Sequence, residues 1–144
     1  MKYPIGIQSF EQIIEDGYVY IDKTDLVYRL THEGKIYFLS RPRRFGKSLL
    51  VSTLKNYYLG YKELFKGLKI DSLETDWHVH PVFHVDFNGS NFLEEGVLEK
   101  RLYAYVRDWE ARYGLPSDAD LLDLGGRVIK VLEAAHEQTG RRAV

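Results

Sequence analysis

The sequence predicts a mixed α/β fold in which helices cover both faces of a parallel sheet, giving three layers. One observation is the apolar, β-rich run 36–39, which leads through a basic loop into a helical pattern near Gly46. Another is the run 81–87, which reads as a buried strand that ends in an acid. Segments with apolar residues at helical spacing lie before, between and after these runs, so helices are expected to separate the strands.

Residues 1–34 are predicted to be a lead-in that contains two helices. Ser9 precedes apolar residues at helical spacing, and serine is a common N-cap, so a short helix is expected to start after it. A second helix is predicted over about residues 25–32. Asp22 or Thr24 is expected to cap it, because a side-chain oxygen there can accept a hydrogen bond from a free backbone amide.

Residues 35–60 are predicted to form a strand, a loop and a helix of about residues 46–59, and the loop has the strongest chemical signal. Its sequence is Arg41-Pro42-Arg43-Arg44-Phe45-Gly46-Lys47-Ser48. The glycine lets the backbone approach a phosphate, the helix start offers unpaired N–H groups, and the lysine can reach phosphate oxygens. The serine hydroxyl is suited to a magnesium ion. This is the layout of a Walker A motif, or P-loop, with Arg41 where the standard pattern has glycine.

Residues 81–144 are predicted to hold the second strand and long helices. The first helix is expected to be capped by Ser90 or Asn91 and to bury one apolar face. The residues of that face are Leu93, Val97, Leu98, Leu102, Tyr105, Val106, Trp109 and Tyr113. A further helical region is expected to start at Ser117 or Asp118, to be interrupted at Gly125-Gly126 and to end at Gly140.

The composition narrows the class of protein. A hydrophobic content of 44% with eleven Tyr and seven Phe suits one globular domain, or part of one, with an aromatic core. The net charge of −1 gives no overall attraction to nucleic acid, and the lack of cysteine excludes a disulfide framework or a thiolate metal site. No run approaches the roughly 18 apolar residues of a membrane span. We therefore expect a cytoplasmic protein that does not insert into a membrane.

The chain resembles the bacterial AAA-ATPase-like family, in which a P-loop ATPase domain often precedes a nuclease-like domain of the PD-(D/E)XK type. The resemblance covers residues 3–70 and the predicted strand of 81–86, and weakens after about residue 90. It rests on Pro4-Ile5-Gly6-Ile7, Tyr20-Ile21-Asp22-Lys23-Thr24, the run from Tyr37 through Leu50, and Leu64-Phe65-Lys66-Gly67-Leu68. Family members share the departure from glycine at position 41.

The resemblance implies that residues 1–144 are the N-terminal part of an AAA-ATPase-like P-loop domain. In the family, a segment like 140–144 leads into the Walker B strand, whose acids hold magnesium, so the chain is expected to end before that strand. The full-length protein is expected to hydrolyse ATP with Mg²⁺. This chain alone is expected to bind ATP with little or no hydrolysis. Nucleotide contacts are assigned to Arg43, Arg44, Phe45, Gly46, Lys47, Ser48 and Leu49, with Ser48 also a metal ligand. A position facing solvent is the equal alternative for Arg43 and Arg44.

Several other functions remain open from the sequence. A non-enzymatic module is the main alternative, with the basic side chains of the loop binding nucleic acid or a partner protein. A phosphotransferase ranks last, because no base for a substrate hydroxyl is evident. A DNA or protein partner is expected to bind the C-terminal part of the full-length protein. The open edge of the predicted sheet is expected to favour self-association of this chain.

Single residues outside the loop also have two interpretations each. Asp86 is expected to cap a loop at the end of its strand, with magnesium binding as the alternative. His78, His80 and His84 are close in sequence, yet they lack a further ligand for a metal site. The segment after Tyr20 is expected to cap a helix, with a position over the nucleotide as the alternative.

Overall fold

The computed structural model describes residues 1–42, 44–89, 94–116 and 123–144. The chain divides into two compact units, Met1–Val79 and His80–Val144. Each unit has its own cluster of buried apolar side chains and is described separately below.

The first unit is built from short helices around an aromatic core. Its helices are α1 (Phe10–Glu15), α2 (Thr24–Glu33), α3 (Lys47–Tyr58) and α4 (Lys69–Leu73), with a 3-10 turn at Lys62–Phe65. The helices predicted over 25–32 and 46–59 are confirmed to within two residues at each end. Ser9 caps α1 as predicted, because its hydroxyl accepts a hydrogen bond from the amide of Gln12 at 3.3 Å.

The core of the first unit holds α3 in place. Phe10 of α1 and Phe65 of the 3-10 turn are fully buried, and their ring centroids lie 4.7 Å apart. Leu50 of α3 packs against the same cluster. The Ser52 hydroxyl of α3 also accepts a hydrogen bond from the backbone amide of Phe10 at 2.9 Å. Apolar packing and this hydrogen bond therefore hold the body of α3 against the core, which fixes the position of its first turn.

Asp22 and Thr24 accept hydrogen bonds from backbone amides at the starts of two helices. The Asp22 carboxylate accepts hydrogen bonds from the Thr24 amide at 2.9 Å, the Thr24 hydroxyl at 2.7 Å and the Lys69 amide at 2.7 Å. The buried Thr24 hydroxyl in turn accepts from the Ile70 amide at 3.0 Å. Lys23 occupies the N-cap position of α2 and provides no side-chain cap, so neither Asp22 nor Thr24 is the predicted N-cap. Their side chains instead satisfy the first amide of α2 and two amides at the start of α4.

The second unit is a helix pair, α5 (Val97–Arg112) and α6 (Leu124–Thr139). Val106 and Trp109 of α5 are buried together with Val131 of α6, as the helical pattern predicts. Helix α5 begins after Gly96, later than the sequence indicated. The predicted starts of the two helices, Ser90 or Asn91 and Ser117 or Asp118, lie outside the described residues, as do Leu93, Arg43 and positions 92 and 119–122.

Helix α6 is not interrupted at its two glycines, contrary to the prediction. Asp123 is its N-cap, and the Asp123 carboxylate accepts a hydrogen bond from the Gly126 amide at 2.8 Å. Gly125 and Gly126 therefore fall in the first turn, where capping supports them, and the helix continues to Thr139. Gly140 ends it in the left-handed conformation at a φ of 67°, as expected.

The predicted three-layer parallel sheet is wrong. Within the described ranges, β pairing is assigned only to an isolated parallel bridge between Lys2 and Tyr18. The runs 35–40 and 81–87 are not strands. Ile36 and Phe38 are each 94% exposed, whereas a strand of a parallel sheet is buried on both faces. The second run makes a short backbone pairing with Val144, since the Phe83 amide donates to the Val144 carbonyl at 2.8 Å and the Val144 amide donates to the Pro81 carbonyl at 2.9 Å. This pairing does not extend into a strand.

Candidate functional site

The basic loop of residues 41–46 ends at the first turn of α3, as the sequence indicated. Gly46 is the N-cap and has a φ of 75°, a left-handed conformation that side chains disfavour. A Cβ placed on Gly46 would meet no atom within 4 Å, so the space in front of the backbone is open. The first amides of an α-helix lack acceptors within the helix, so they are available to an anion at this position.

The described loop residues before Gly46 are turned towards solvent. Arg41, Arg44 and Phe45 are exposed, and Phe45 keeps 61% of its surface accessible. Arg44 has a φ of 67°, which is an unfavourable conformation for a residue with a Cβ. The loop thus contains two left-handed residues, Arg44 and Gly46, within three positions. Arg43 was also predicted to contact a nucleotide, but it lies outside the described residues.

Lys47 folds back along the loop that precedes it. Its ammonium group donates hydrogen bonds to the carbonyl oxygen of Arg41 and, at 3.1 Å, to that of Pro42. Both acceptors are uncharged backbone groups. The side chain therefore lies on the same side of the helix start as the loop, where a phosphate held by the first-turn amides would also lie.

The last two predicted binding residues face different surroundings. Ser48 is exposed in the first turn of α3, which leaves its hydroxyl accessible to a ligand. Leu49 is half-buried and packs against the core cluster of the first unit. The side chain of Leu49 is therefore a packing group, and only its backbone amide is suited to a ligand.

Asp86 belongs to the second unit and has a structural role there. Its carboxylate accepts a hydrogen bond from the Asn88 amide at 2.8 Å, which is the loop-capping role expected for it. The Tyr105 hydroxyl also contacts both the amide of Asp86, at 3.0 Å, and its carbonyl, at 2.8 Å. These contacts fix the end of the 81–87 segment against α5.

The histidines do not form a metal site in the part of the chain that the structure describes. No group of three or more His, Cys, Asp or Glu side chains there is placed to hold an ion. His80 instead has its Nδ1 atom 3.0 Å from the carbonyl oxygen of Arg142, within the second unit. This contact joins the ring to backbone and not to another metal-binding side chain.

A polar cluster in the first unit was missed by the sequence interpretation. Glu74, which is 8% exposed, accepts a hydrogen bond from the Tyr57 hydroxyl of α3, and the Nε2 atom of His32 lies 3.7 Å from its carboxylate. Burial raises the pKa of Tyr57, and its hydrogen bond to Glu74 raises that pKa further. The cluster ties α2 and α3 to the residue after α4. Nothing in the spacing of these residues along the chain indicates the contact.

A buried ion pair in the second unit was also missed. Glu110 of α5 and Arg127 of α6 are each 4% exposed, and two hydrogen bonds of 2.7 Å join the carboxylate to the guanidinium group. Tyr103 adds an aromatic ring 5.4 Å from the guanidinium carbon. One signal was available, because Arg127 lies four residues before Val131 and so falls on the apolar face of α6.

None of the helices in the described ranges combines the length and the apolar character that crossing a membrane requires.

Comparison with known proteins places residues 4–144 in one family. A family model described as "Predicted AAA-ATPase" matches this whole range. An uncharacterized protein in the vnfD 5′ region of Azotobacter chroococcum mcd 1 is 37% identical over 145 positions, covering 99% of this chain. The chain spans only 28% of that relative's length. No solved structure matches. The family match over nearly every residue, together with the Gly-Lys-Ser motif at the start of α3, shows that this chain belongs to the AAA-ATPase-like family.

Proposed function

We propose that residues 41–49 form a variant P-loop that binds the phosphates of ATP. The observation that carries the proposal is the position of Gly46-Lys47-Ser48 at the start of α3, with a left-handed glycine next to a lysine folded along the loop. Amides at the helix start, the positive end of the helix dipole and a lysine ammonium group together favour a phosphate. The family membership supports a nucleotide as the source of that phosphate.

Each loop residue has a separate proposed role. The amides of Gly46, Lys47, Ser48 and Leu49 donate to phosphate oxygens, while the Leu49 side chain anchors the turn in the core. The Lys47 ammonium group approaches the β- and γ-phosphates. Arg44 adds positive charge beside the site, and we extend the same role to Arg43. We propose that Phe45, whose side chain is exposed, contributes its backbone amide to the site.

Magnesium fits this site only together with the nucleotide. Ser48 supplies one accessible oxygen, and no cluster of three acidic or histidine ligands exists among the described residues. That is compatible with Mg²⁺, which usually keeps several waters and uses phosphate oxygens alongside one or two protein ligands. We propose that Ser48 holds the ion, which would neutralise phosphate charge when bound. ATP hydrolysis is proposed for longer members of the family, with little or none in this chain alone.

The experiment measures ATP affinity with and without magnesium, for the chain without substitutions (called the parent chain) and for Ser48→Ala. We expect magnesium to tighten ATP binding by the parent chain, and Ser48→Ala to reduce that gain by about tenfold while retaining magnesium-free binding. Ser52→Ala is the matched control, because Ser52 lies one turn further along α3 and its hydroxyl accepts the Phe10 amide. Absence of ATP binding by the parent chain under both conditions would contradict the proposal.

Nucleic-acid binding is the second candidate, supported by the exposure of Arg41 and Arg44. Within the described residues, neither side chain is in an ion pair with an acid. A titration with a labelled DNA oligonucleotide at several salt concentrations tests it. Binding that weakens steeply with salt and resists competition by ATP would favour this candidate over nucleotide binding. Displacement of the oligonucleotide by stoichiometric ATP would instead favour one shared phosphate site.

A further inference from the structure

The imidazole ring of His32, in the last turn of α2, is held in one orientation by its own helix. Its Nδ1 atom lies 2.8 Å from the carbonyl oxygen of Tyr28, and the two aromatic rings stack with their centroids 4.1 Å apart. A carbonyl oxygen only accepts hydrogen bonds, so the single proton of a neutral His32 ring is placed on Nδ1. Nε2 is therefore the ring atom at which a further proton can be gained or lost.

The Nε2 atom of His32 faces the buried carboxylate of Glu74, the residue that follows α4. The distance from Nε2 to Glu74 Oε2 is 3.7 Å, which is longer than a hydrogen bond. A neutral ring presents the Nε2 lone pair to this carboxylate, so that two hydrogen-bond acceptors face each other. A ring that has taken up a second proton presents an N–H donor and a positive charge instead. The sign of the contact thus depends on one proton.

The groups around this contact hold the carboxylate in place. Glu74 accepts hydrogen bonds from the Tyr57 hydroxyl of α3 and, at 3.0 Å, from the backbone amide of Asp76. Burial raises the pKa of Tyr57, and the hydrogen bond to Glu74 raises it further, so Tyr57 stays uncharged over the range in which histidine titrates. The other described ion pairs of α2 and α4 join Arg29 to Glu33 and Lys69 to Asp25.

We propose that uptake of a second proton by His32 turns its contact with Glu74 into an ion pair, which ties the last turn of α2 to the segment after α4. Histidine gains its charge between about pH 8 and pH 5, and the exposed His32 ring exchanges protons directly with solvent. The ion pair stabilises the last turn of α2 at mildly acidic pH. That contribution is lost as the pH rises and the ring returns to its neutral form.

The proposed proton switch goes beyond the proposed nucleotide function and does not depend on it. His32 and Glu74 both lie outside the loop and the helix start at residues 41–49. A chain that fails to bind ATP would therefore leave the switch untouched, and a chain without the switch would leave the phosphate contacts in place.

Nitrogen-15 NMR of the His32 ring in the parent chain tests the first step without any substitution. At about pH 8 we expect a proton on Nδ1 and an unprotonated Nε2, which have clearly different nitrogen shifts. At about pH 5.5 we expect protons on both atoms. A neutral ring with its proton on Nε2 would overturn the proposal, because that N–H would already donate to Glu74 without any change in charge.

Amide hydrogen exchange at residues 32 and 33 tests the second step. After correction for the intrinsic effect of pH on exchange, we expect about fivefold greater protection at pH 5.5 than at pH 8 in the parent chain. His32→Gln and Glu74→Gln each remove one member of the pair, and both should show equal protection at the two pH values. If the buried substitution at Glu74 prevents folding, the substitution at exposed His32 decides the question.

His136→Gln is the matched control for His32→Gln. His136 also lies in the last turn of a helix, α6, and its Nδ1 atom is 3.0 Å from the backbone carbonyl of Arg141. The described ion pairs do not include His136. His136→Gln should therefore keep the fivefold ratio at residues 32 and 33. Equal protection at the two pH values in the parent chain, or a ratio that persists in His32→Gln, would overturn the proposal.

Discussion

Asp22 shows how one side chain can link two helix starts. Partial burial opposes ionisation, but the hydrogen bonds from the Thr24 hydroxyl, the Thr24 amide and the Lys69 amide prevail and lower the pKa of Asp22. A carboxylate with a lowered folded-state pKa stabilises the fold above its unfolded pKa of about 3.9. That contribution is lost as the pH falls through the folded-state pKa.

Replacing Asp22 by Asn should therefore weaken the fold and reduce its sensitivity to acid. The amide side chain has one acceptor oxygen, so it cannot reproduce the bonds to both Thr24 and Lys69, and we expect a loss of about 1 kcal/mol at pH 7. Urea unfolding measured between pH 7 and pH 3 should show a smaller decline for Asp22→Asn than for the parent chain. Asp76→Asn, at an exposed aspartate, is the control. An undiminished acid-dependent decline in Asp22→Asn would contradict this assignment.

Glu110 and Arg127 form the most deeply buried charge pair among the described residues. Removing one partner leaves the other charge buried without compensation, which typically costs about 3–5 kcal/mol. Glu110→Leu alone should therefore destabilise the second unit strongly. The double substitution Glu110→Leu with Arg127→Met removes both charges and should lose less stability than Glu110→Leu alone.

Urea unfolding followed by far-UV circular dichroism, on the unsubstituted chain, Glu110→Leu, Arg127→Met and the double variant, measures this difference as a double-mutant cycle. The expected coupling between the two positions is large because each charge is compensated only while its partner is present. A double variant that loses the sum of the two single losses would show that the pair contributes no mutual stabilisation.

At the scale of elements, α3 packs against the core along its length and starts from a glycine in the left-handed conformation. Gly46 has a φ of 75° with open space around it, so an added Cβ produces backbone strain without a clash. We expect Gly46→Ala to destabilise the first unit by about 1–2 kcal/mol. If phosphates approach this backbone, the same substitution should also weaken ATP binding about tenfold or more.

Gly67→Ala is the matched control for that substitution. Gly67 lies in the same unit and has a φ of 79°, and a Cβ added to it would likewise meet no atom within 4 Å. Gly67→Ala should therefore lose similar stability and keep its ATP affinity. Equal ATP affinities in the two variants, measured by calorimetry, would remove Gly46 from the proposed binding site.

Local signals explain why the helices were predicted better than the strands. Helix α3 could be predicted from its own residues, since periodic apolar positions and a glycine at its start act within a few residues of each other. Ser9, Thr24 and Gly140 mark helix ends for the same reason. The run 36–39 has the composition of a strand, but pairing depends on partners elsewhere in the chain, and Ile36 and Phe38 remain exposed.

The candidate site also divides into features set by neighbouring residues, which the sequence predicts, and contacts between separate segments, which it does not. The order Gly46, Lys47, Ser48 at a helix start was predictable because it involves consecutive residues. The hydrogen bonds from Lys47 to the Arg41 and Pro42 carbonyls were not predictable, because they depend on the path of the loop. The Glu74 cluster was equally unpredictable, since its members come from three separate segments.

At the scale of the whole molecule, the chain consists of two compact units with separate cores. The loop and α3 belong to the first unit, and Asp86 belongs to the second. The proposed phosphate contacts therefore come from consecutive residues of one unit. Because the chain spans 28% of its relative's length, the proposed ATP binding is what can be tested directly on these residues.

Calorimetric titration with ATP and magnesium, on the parent chain, Lys47→Ala and Lys55→Ala, tests the central claim most directly. We expect one ATP to bind per parent chain and per Lys55→Ala chain with equal affinity, because Lys55 lies towards the far end of α3. Lys47→Ala should lose at least about tenfold in affinity, since we propose that the ammonium group contacts the phosphates. Equal ATP affinity in Lys47→Ala and the parent chain would contradict the account.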